Sequence, residues 1–363
     1  MNRLSAIDAC APAWSRVGSM LFHPLRLGTW IKMGFIGMLG GGLATAGGNL
    51  GVRFPMAPGR VHEGSFPKDP MAEIHQAIRS VHLADYFHLI VTVMICVTVI
   101  ALIFVYLFSR FRFVLFDSVI NGRPAVAPGW RQYASQANRY FGFWLVFRLV
   151  NWAVLLLIIG VPLWHAYKSG VFSTDNSIGA LFELLASIAL GVIAASIVCA
   201  IVSTLMKDFI MPIMALDNFT LGDAWSALWR VIASEPGAWA GYLGLKLVLA
   251  IAAGLALAIA FVVALLPAVL VIGIPVGLFV ALAVALKSSA MVVAVIIFFL
   301  AGMIAAAGFA CVYMVVIAPL AVFFPSFAFY FFGGRYPKLG ALLSPQTPPI
   351  APVPQMAGTP SRV

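Results

Sequence analysis

Long uninterrupted runs of apolar residues, separated by short polar segments, dominate the chain. Six of them are long enough to cross a membrane: 28–50, 86–109, 140–164, 178–206, 238–266 and 288–317. An α-helix rises about 1.5 Å per residue, so about 20 residues cross a hydrocarbon core roughly 30 Å thick. The pattern therefore predicts an all-α fold, a polytopic membrane helix bundle of about six transmembrane helices.

A further apolar stretch, 267–286, follows the fifth run without a polar loop between them. It contains Pro267, Gly273 and Pro275 and stops at Lys287. Stretches interrupted in this way occur both as full spans and as broken, re-entrant segments. A full crossing by 267–286 would raise the count to seven.

The distribution of basic residues bears on this choice. Lys and Arg concentrate in 1–32, 110–139 and 333–363. Cytoplasmic segments of membrane proteins carry an excess of Lys and Arg. Six crossings put all three segments and both termini on the cytoplasmic side, whereas seven would put the C-terminal tail outside. We therefore favour six crossings, with 267–286 re-entrant, in a bacterial inner membrane.

The two ends of the chain differ in character from the transmembrane region, 28–340. The N-terminal arm, 1–27, has apolar residues at helical spacing opposite Asp8 and Arg16, which predicts a cytoplasmic helix lying on the membrane: Leu4, Ile7, Ala11, Trp14 and Leu21. Pro12 leaves a short irregular arm as the alternative. The tail, 341–363, is rich in proline and predicted to be disordered.

Composition agrees with a membrane environment. The chain is 63% hydrophobic and 9% charged, against roughly 45–50% and about 25% in soluble domains. The formal charge of +10 does not indicate a nucleic-acid partner, because the cations flank apolar runs as topology signals do. The expected partners are the lipid bilayer and, beyond it, other membrane proteins or a second copy in a homo-oligomer. The sequence indicates no cofactor.

Two segments share an order of features that suggests an internal repeat, with units 113–206 and 209–317. Each segment leads from the end of a span through a turn to a first Trp, and a second Trp follows 14 residues later: Trp130 and Trp144, then Trp225 and Trp239. A cation followed by Leu-Val comes next in each, Arg148 and Lys246. The alternative is that both segments follow the common pattern of an amphipathic helix entering a membrane.

The first span is rich in glycine, including Gly34, Gly37, Gly40 and Gly41. Small residues at such spacing let helix backbones approach closely. A phosphate-binding loop would need a preceding strand, which a membrane span does not provide. We therefore predict a helix-packing face.

Polar residues inside spans are the candidate functional site, because ionised groups in lipid are costly. Those in or next to the predicted spans are Arg148, Lys246, Asn151 and Glu183, with Asp117 and Asp208 as the nearest candidate carboxylates. Arg and Lys near a span end can also extend to the interface. The sequence leaves both interpretations open.

Histidines and catalytic motifs contribute little. His75, His82 and His88 stand at helical spacing in the first external segment, a weak candidate for a metal or proton-sensing site. The loops show no nucleophile–base constellation or GxSxG turn. We therefore predict no metal site and no enzymatic activity.

Three motifs carry a resemblance to an uncharacterised family of prokaryotic multi-pass membrane proteins. They are the opening LFHPLRLGTWIKMGFIGML of 21–39, the segment 207–229, and the segment 319–340, which begins at Pro319 and ends in GGRYPKLG. The family resembles, more distantly, the membrane domains fused to some glycerophosphodiester phosphodiesterases. The resemblance implies about six helices and no settled activity, and this chain has no soluble catalytic domain of that kind.

Two functions remain open from sequence. The leading one is a non-enzymatic membrane protein that scaffolds, assembles or regulates a membrane process. The alternative is a transporter or lipid-handling protein that uses Arg148 and Lys246 as an anion-attracting pair between the repeats.

Overall fold

The computed structural model describes residues 3–23, 25–41, 83–170, 178–268 and 289–343, and all the elements in them are helical. In chain order the helices are α1 (Cys10–Leu21), α2 (Leu27–Gly40), α3 (Leu83–Asn121), α4 (Val126–Gln132), α5 (Ala134–Lys168), α6 (Ile178–Leu205), a π-helical turn (Met206–Ile210), α7 (Met211–Asp217), α8 (Leu221–Ser234), α9 (Pro236–Ala268), α10 (Ser289–Gly333) and α11 (Pro337–Leu343).

Five helical stretches among the described residues are long and apolar enough to cross a membrane: His88–Asn121, Ala134–Lys168, Gly179–Asp217, Pro236–Val263 and Ala306–Gly333. They overlap the last five spans that the sequence predicts. The first predicted span is described only as far as residue 41, and 267–286 lies almost wholly outside the described residues. The number of crossings therefore stays a prediction.

The predicted end of the last span, residue 317, is wrong. Helix α10 continues to Gly333 and contains Pro319 and Pro325. Proline inside a helix removes a backbone hydrogen bond and usually disfavours its continuation. The helix nevertheless continues because its second half is packed into the protein, with Phe327, Phe329 and Phe332 almost completely buried.

One end of the molecule holds the buried core, and we call it the core end. Helices α3, α6 and α10 finish there and α5 and α9 start there, as ring contacts show. Phe113 near the end of α3 meets Tyr140 near the start of α5, and Trp239 near the start of α9 meets Phe331 near the end of α10.

Helix α2 is held between α3 and α10 by its glycines. A Cβ on Gly34 would lie 1.9 Å from the carbonyl oxygen of Met314, and one on Gly37 would lie 2.1 Å from the Cβ of Ala321. A Cβ on Gly40 would lie 2.5 Å from the carbonyl oxygen of Phe111. No larger residue fits at these distances, so the predicted packing role of the glycines is confirmed.

Helix α1 has two different faces. Ala9, Ala13 and Val17 form a buried stripe that packs into the core. Of the face that the sequence singles out, Ile7 and Trp14 remain exposed. Arg16, opposite that face, donates hydrogen bonds to the carbonyl oxygens of Val119 and Ile120 at the end of α3. The arm is thus a helix bound to the protein, and the predicted lipid-facing stripe is only partly exposed, because Leu21 is completely buried in the core and Leu4 is half-buried.

The element order of the proposed repeat is similar in both segments. A left-handed residue, Gly122 or Asn218, ends the first helix of each segment, and a short helix and a long helix follow. The surroundings of the paired tryptophans differ, because Trp239 is buried among phenylalanines whereas Trp144 is half-buried among cations. The repeat stays a prediction.

Candidate functional site: a basic cluster at the membrane boundary

The π-helical turn between α6 and α7 carries two charged side chains, those of Lys207 and Asp208. Pro212 explains the local geometry, since it lacks the N–H that would bond to the carbonyl of Asp208 four residues earlier. A π-turn widens the helix, and such turns are frequent at functional sites. The sequence interpretation did not predict the turn, although Pro212 was the available signal.

Asp208 is the acidic centre of the site. Tyr242 donates a 2.6 Å hydrogen bond from its hydroxyl to Oδ2 of Asp208, and Lys246 forms an ion pair with the same oxygen. Tyr242 and Lys246 stand four residues apart on α9 and therefore share one helix face. Both charged side chains are mostly buried, with the exposed fraction 10% for Asp208 and 19% for Lys246.

Arg112, in the last third of the long helix α3, is held by contacts with two other helices. Its Nε donates to the carbonyl oxygen of Gly40 at 2.9 Å, and its Nη1 donates to the hydroxyl of Tyr140 at 2.5 Å. The side chain is buried and thereby ties α2, α3 and α5 together.

Three cations lie around the indole ring of Trp144 on α5. The guanidinium carbons of Arg148 and Arg112 lie 5.2 and 5.7 Å from its centroid, and Nζ of Lys207 lies 5.9 Å from it. These separations are within the range of cation–π attraction. Lys207 also lies within electrostatic range of Lys246 and Asp208. We call Arg112, Arg148, Lys207 and Lys246 the basic cluster.

The cluster carries an excess of positive charge. Lys246 pairs with Asp208 and Lys207 lies within electrostatic range of it, and no other carboxylate contacts the four cations in the described part of the chain. Like charges at short range repel, and burial strengthens that repulsion because the surroundings have a low dielectric constant. The site is thus electrostatically suited to an anion.

The exposed apolar side chains along the long helices show where the cluster lies along the axis of the bundle. Large apolar side chains are exposed over 89–104 of α3, 146–164 of α5, 182–201 of α6 and 247–263 of α9. The stretch 146–164 spans about 27 Å at 1.5 Å per residue, close to the hydrocarbon thickness of roughly 30 Å. Arg148 and Lys246 lie at the core-end limit of this apolar belt, whereas Lys207 and Arg112 lie about 9 and about 12 Å beyond it along their helices.

The structure brings together three of the predicted site residues, Arg148, Lys246 and Asp208. The others lie elsewhere. Asp117 accepts a hydrogen bond from Asn121 near the end of α3, Asn151 follows Arg148 by one turn towards the membrane centre, and Glu183 is exposed near the start of α6.

The histidines contribute no metal site to the described residues. No group of three potential metal ligands occurs among them. His88 is exposed near the start of α3, whereas His75 and His82 lie outside the described residues.

Sequence reasoning missed Arg112, Lys207, Tyr140, Tyr242 and Trp144 as site residues. Arg112 was assigned to a loop because the second span was ended at 109, although the apolar periodicity of FVLF at 113–116 continues the helix. Lys207 belongs to the family motif at 207–229 but lies outside the predicted spans, so it was given no site role. Tyrosines and tryptophans at a membrane boundary give no separate signal, since they are common there.

The belt and the long apolar helices define an integral, multi-pass α-helical membrane protein. The chain belongs to a family of unknown function, DUF7544, which matches residues 4–342. No curated protein and no solved structure matches the chain.

Proposed function

We propose that the protein is a non-enzymatic protein of a bacterial inner membrane that binds an anionic group at the basic cluster, in a lipid-handling or transport role. One observation carries the proposal: Arg112, Arg148 and Lys207, from three different spans, converge around Trp144, and a cation of a fourth span, Lys246, lies within electrostatic range of Lys207 and pairs with Asp208. Cations that serve only as topology signals have no reason to converge, because each can extend separately to the headgroups.

The energetics favour an occupied site. Arg112, Lys207 and Lys246 lose hydration on burial, whereas Arg148 stays exposed, and the repulsion among the cations adds to that cost. Aromatic rings and Asp208 offset part of it. A bound anion would offset the remainder and so stabilise the fold by mass action.

Orientation enters as part of the proposal, with the core end and both termini cytoplasmic. Arg335, shortly after α10, donates to the carbonyl oxygen of Leu4, so the two ends of the described chain meet. The excess of Lys and Arg in 1–32, 110–139 and 333–363 supports placing this end in the cytoplasm. The distant resemblance to membrane domains of glycerophosphodiester phosphodiesterases stays a prediction.

The test is anion-dependent thermal stability of the purified full chain in nanodiscs. Phosphatidylglycerol or inorganic phosphate, titrated into phosphatidylcholine nanodiscs, should raise the melting temperature of the wild type, and Arg148→Leu and Lys246→Met should weaken that response. Lys168→Met is the matched control, because Lys168 stacks on Trp164 at the opposite end of α5, 5.1 Å from the ring. Equal responses in all four proteins would contradict the proposal.

Scaffolding is the second candidate, in which helix faces bind other membrane proteins or a second copy. It is favoured by the exposed tryptophans Trp14 on α1 and Trp229 on α8, which stand 62% and 59% exposed beside a solid aromatic core. Complementation of a deletion strain separates the two. Rescue by Arg148→Leu and Lys246→Met, but not by Trp14→Ala and Trp229→Ala, would favour scaffolding.

A further inference from the structure

We propose that the anion is the phosphate of an anionic phospholipid headgroup, and that Asp208 competes with that phosphate for Lys246. This inference rests on the proposed function and specifies both the ligand and the residue that opposes its binding.

The lipid assignment follows from what adjoins the basic cluster. Arg148 is exposed and is followed by Leu149, 62% exposed; Lys246 is followed by Leu247, also 62% exposed. A headgroup phosphate at these cations would therefore leave its acyl chains against the exposed apolar faces of α5 and α9. A free anion from water gains nothing from such faces.

The electrostatics favour an anionic lipid over a zwitterionic one. The cluster holds four cations for one carboxylate, so a headgroup with net negative charge is attracted. A choline headgroup would bring a cation of its own into the same field, and that repulsion would oppose binding.

Asp208 holds the place that a phosphate oxygen would take on Lys246. Its Oδ2 receives both the ammonium of Lys246 and the hydroxyl of Tyr242. A phosphate oxygen makes the same kind of charge-assisted hydrogen bond. Replacing Asp208 by Asn keeps an acceptor for Tyr242 but releases Lys246 and removes one negative charge.

This competition predicts opposite signs for two neighbouring residues. Asp208→Asn should bind anionic lipid about tenfold more tightly, and Lys246→Met about tenfold more weakly, since a hydrogen bond to a charged group contributes enough for a factor of about ten. General damage to the fold would weaken binding in both variants.

The experiment uses the full chain in phosphatidylcholine nanodiscs with increasing phosphatidylglycerol, and counts bound phosphatidylglycerol by native mass spectrometry. Asp223→Asn is the matched control, because it removes a carboxylate from the exposed part of α8 outside the cluster. Melting temperatures are recorded alongside. The unpaired Lys246 of Asp208→Asn should lower stability in pure phosphatidylcholine, and phosphatidylglycerol should restore it by more than it stabilises the wild type.

The possible outcomes test different parts of the proposal. Unchanged or weaker lipid binding by Asp208→Asn overturns the competition. Binding of inorganic phosphate without preference for phosphatidylglycerol overturns the lipid assignment and leaves the proposed function intact. Insensitivity of both ligands to Arg148→Leu and Lys246→Met overturns the inference and the proposed function together.

Discussion

Arg335 donates a hydrogen bond from Nη1 to the backbone carbonyl oxygen of Leu4 at 3.0 Å, across 331 residues of sequence. The same guanidinium pairs with Glu235 at 3.0 Å and lies 4.1 Å from the ring centroid of Phe331. One side chain thus joins the N-terminal arm, the residue before α9 and the end of α10. We call these contacts of Arg335 the clasp, and they connect the three segments at the core end.

The first prediction compares the two arginines that contact Glu235. Arg335 is 5% exposed and Arg3 is 65% exposed. Arg335→Ala should lower the free energy of unfolding by about 1–3 kcal/mol, because it leaves several polar partners unsatisfied. Arg3→Ala should cost about 0–1 kcal/mol, as exposed ion pairs do. Thermal unfolding in detergent measures both, and equal losses would contradict the clasp.

The second prediction concerns pH. Burial acts to raise the pKa of Glu235, but the hydrogen bond and charge of Arg335, together with Arg3, outweigh it and hold the pKa below its usual value. A carboxyl group with a lowered pKa in the folded state stabilises the fold above its unfolded pKa, about 4.3. That stabilisation is lost as the pH falls through the lower, folded pKa.

Melting temperatures of the wild type and Glu235→Gln between pH 7 and pH 3 test this. The wild type should be more stable near neutral pH, and the difference between the two proteins should shrink below about pH 4. A difference that stays constant down to pH 3 would mean that Glu235 does not contribute through its charge.

The third prediction uses two glycines of the same helix. A Cβ on Gly34 would overlap the backbone of Met314, whereas a Cβ on Gly28 would meet nothing within 4 Å. Gly34→Ala should therefore destabilise by about 1–3 kcal/mol through overpacking. Gly28→Ala should be neutral or stabilising by up to about 1 kcal/mol, because alanine favours the helix. A similar response at both positions would contradict the close packing of α2 on α10.

The sequence predicted the limits of the helices well where the helices face lipid. The helices α6 and α9 begin and end within two residues of the predicted limits, and α5 within six, because apolar length largely determines a span. It was less informative at the core end, where α3 and α10 extend far beyond their predicted ends. There, burial against other helices replaces lipid, and hydropathy does not distinguish the two surroundings.

The site was partly predictable for the same reason. Arg148 and Lys246 stood out because cations are rare in apolar runs, and Asp208 was named as a candidate partner. Arg112 and Lys207 lie just outside the apolar runs, so nothing separated them from ordinary flanking charges. Their convergence on Trp144 depends on how four helices pack, which spacing along one chain does not encode.

The last prediction is that both termini lie on the cytoplasmic side. Helices α9 and α10 run antiparallel. Trp239, near the start of α9, contacts Phe331, near the end of α10, at the core end. Further from the core end, Phe261 of α9 contacts Phe309 of α10, with ring centroids 5.1 Å apart. Helix α10 therefore starts from the end at which α9 finishes. A single additional crossing between them would place the start of α10 at the core end instead, so this geometry favours six crossings over seven.

Reporter fusions test the prediction directly. A fluorescent protein that folds only in the cytoplasm should be active when fused before Met1 or after Val363, and inactive when inserted between Gly170 and Ile178, where α5 leads to α6. An alkaline phosphatase reporter, which needs an oxidising compartment, should give the reverse result at all three positions. Opposite readings at the two termini would require an odd number of crossings and would refute the six-span topology.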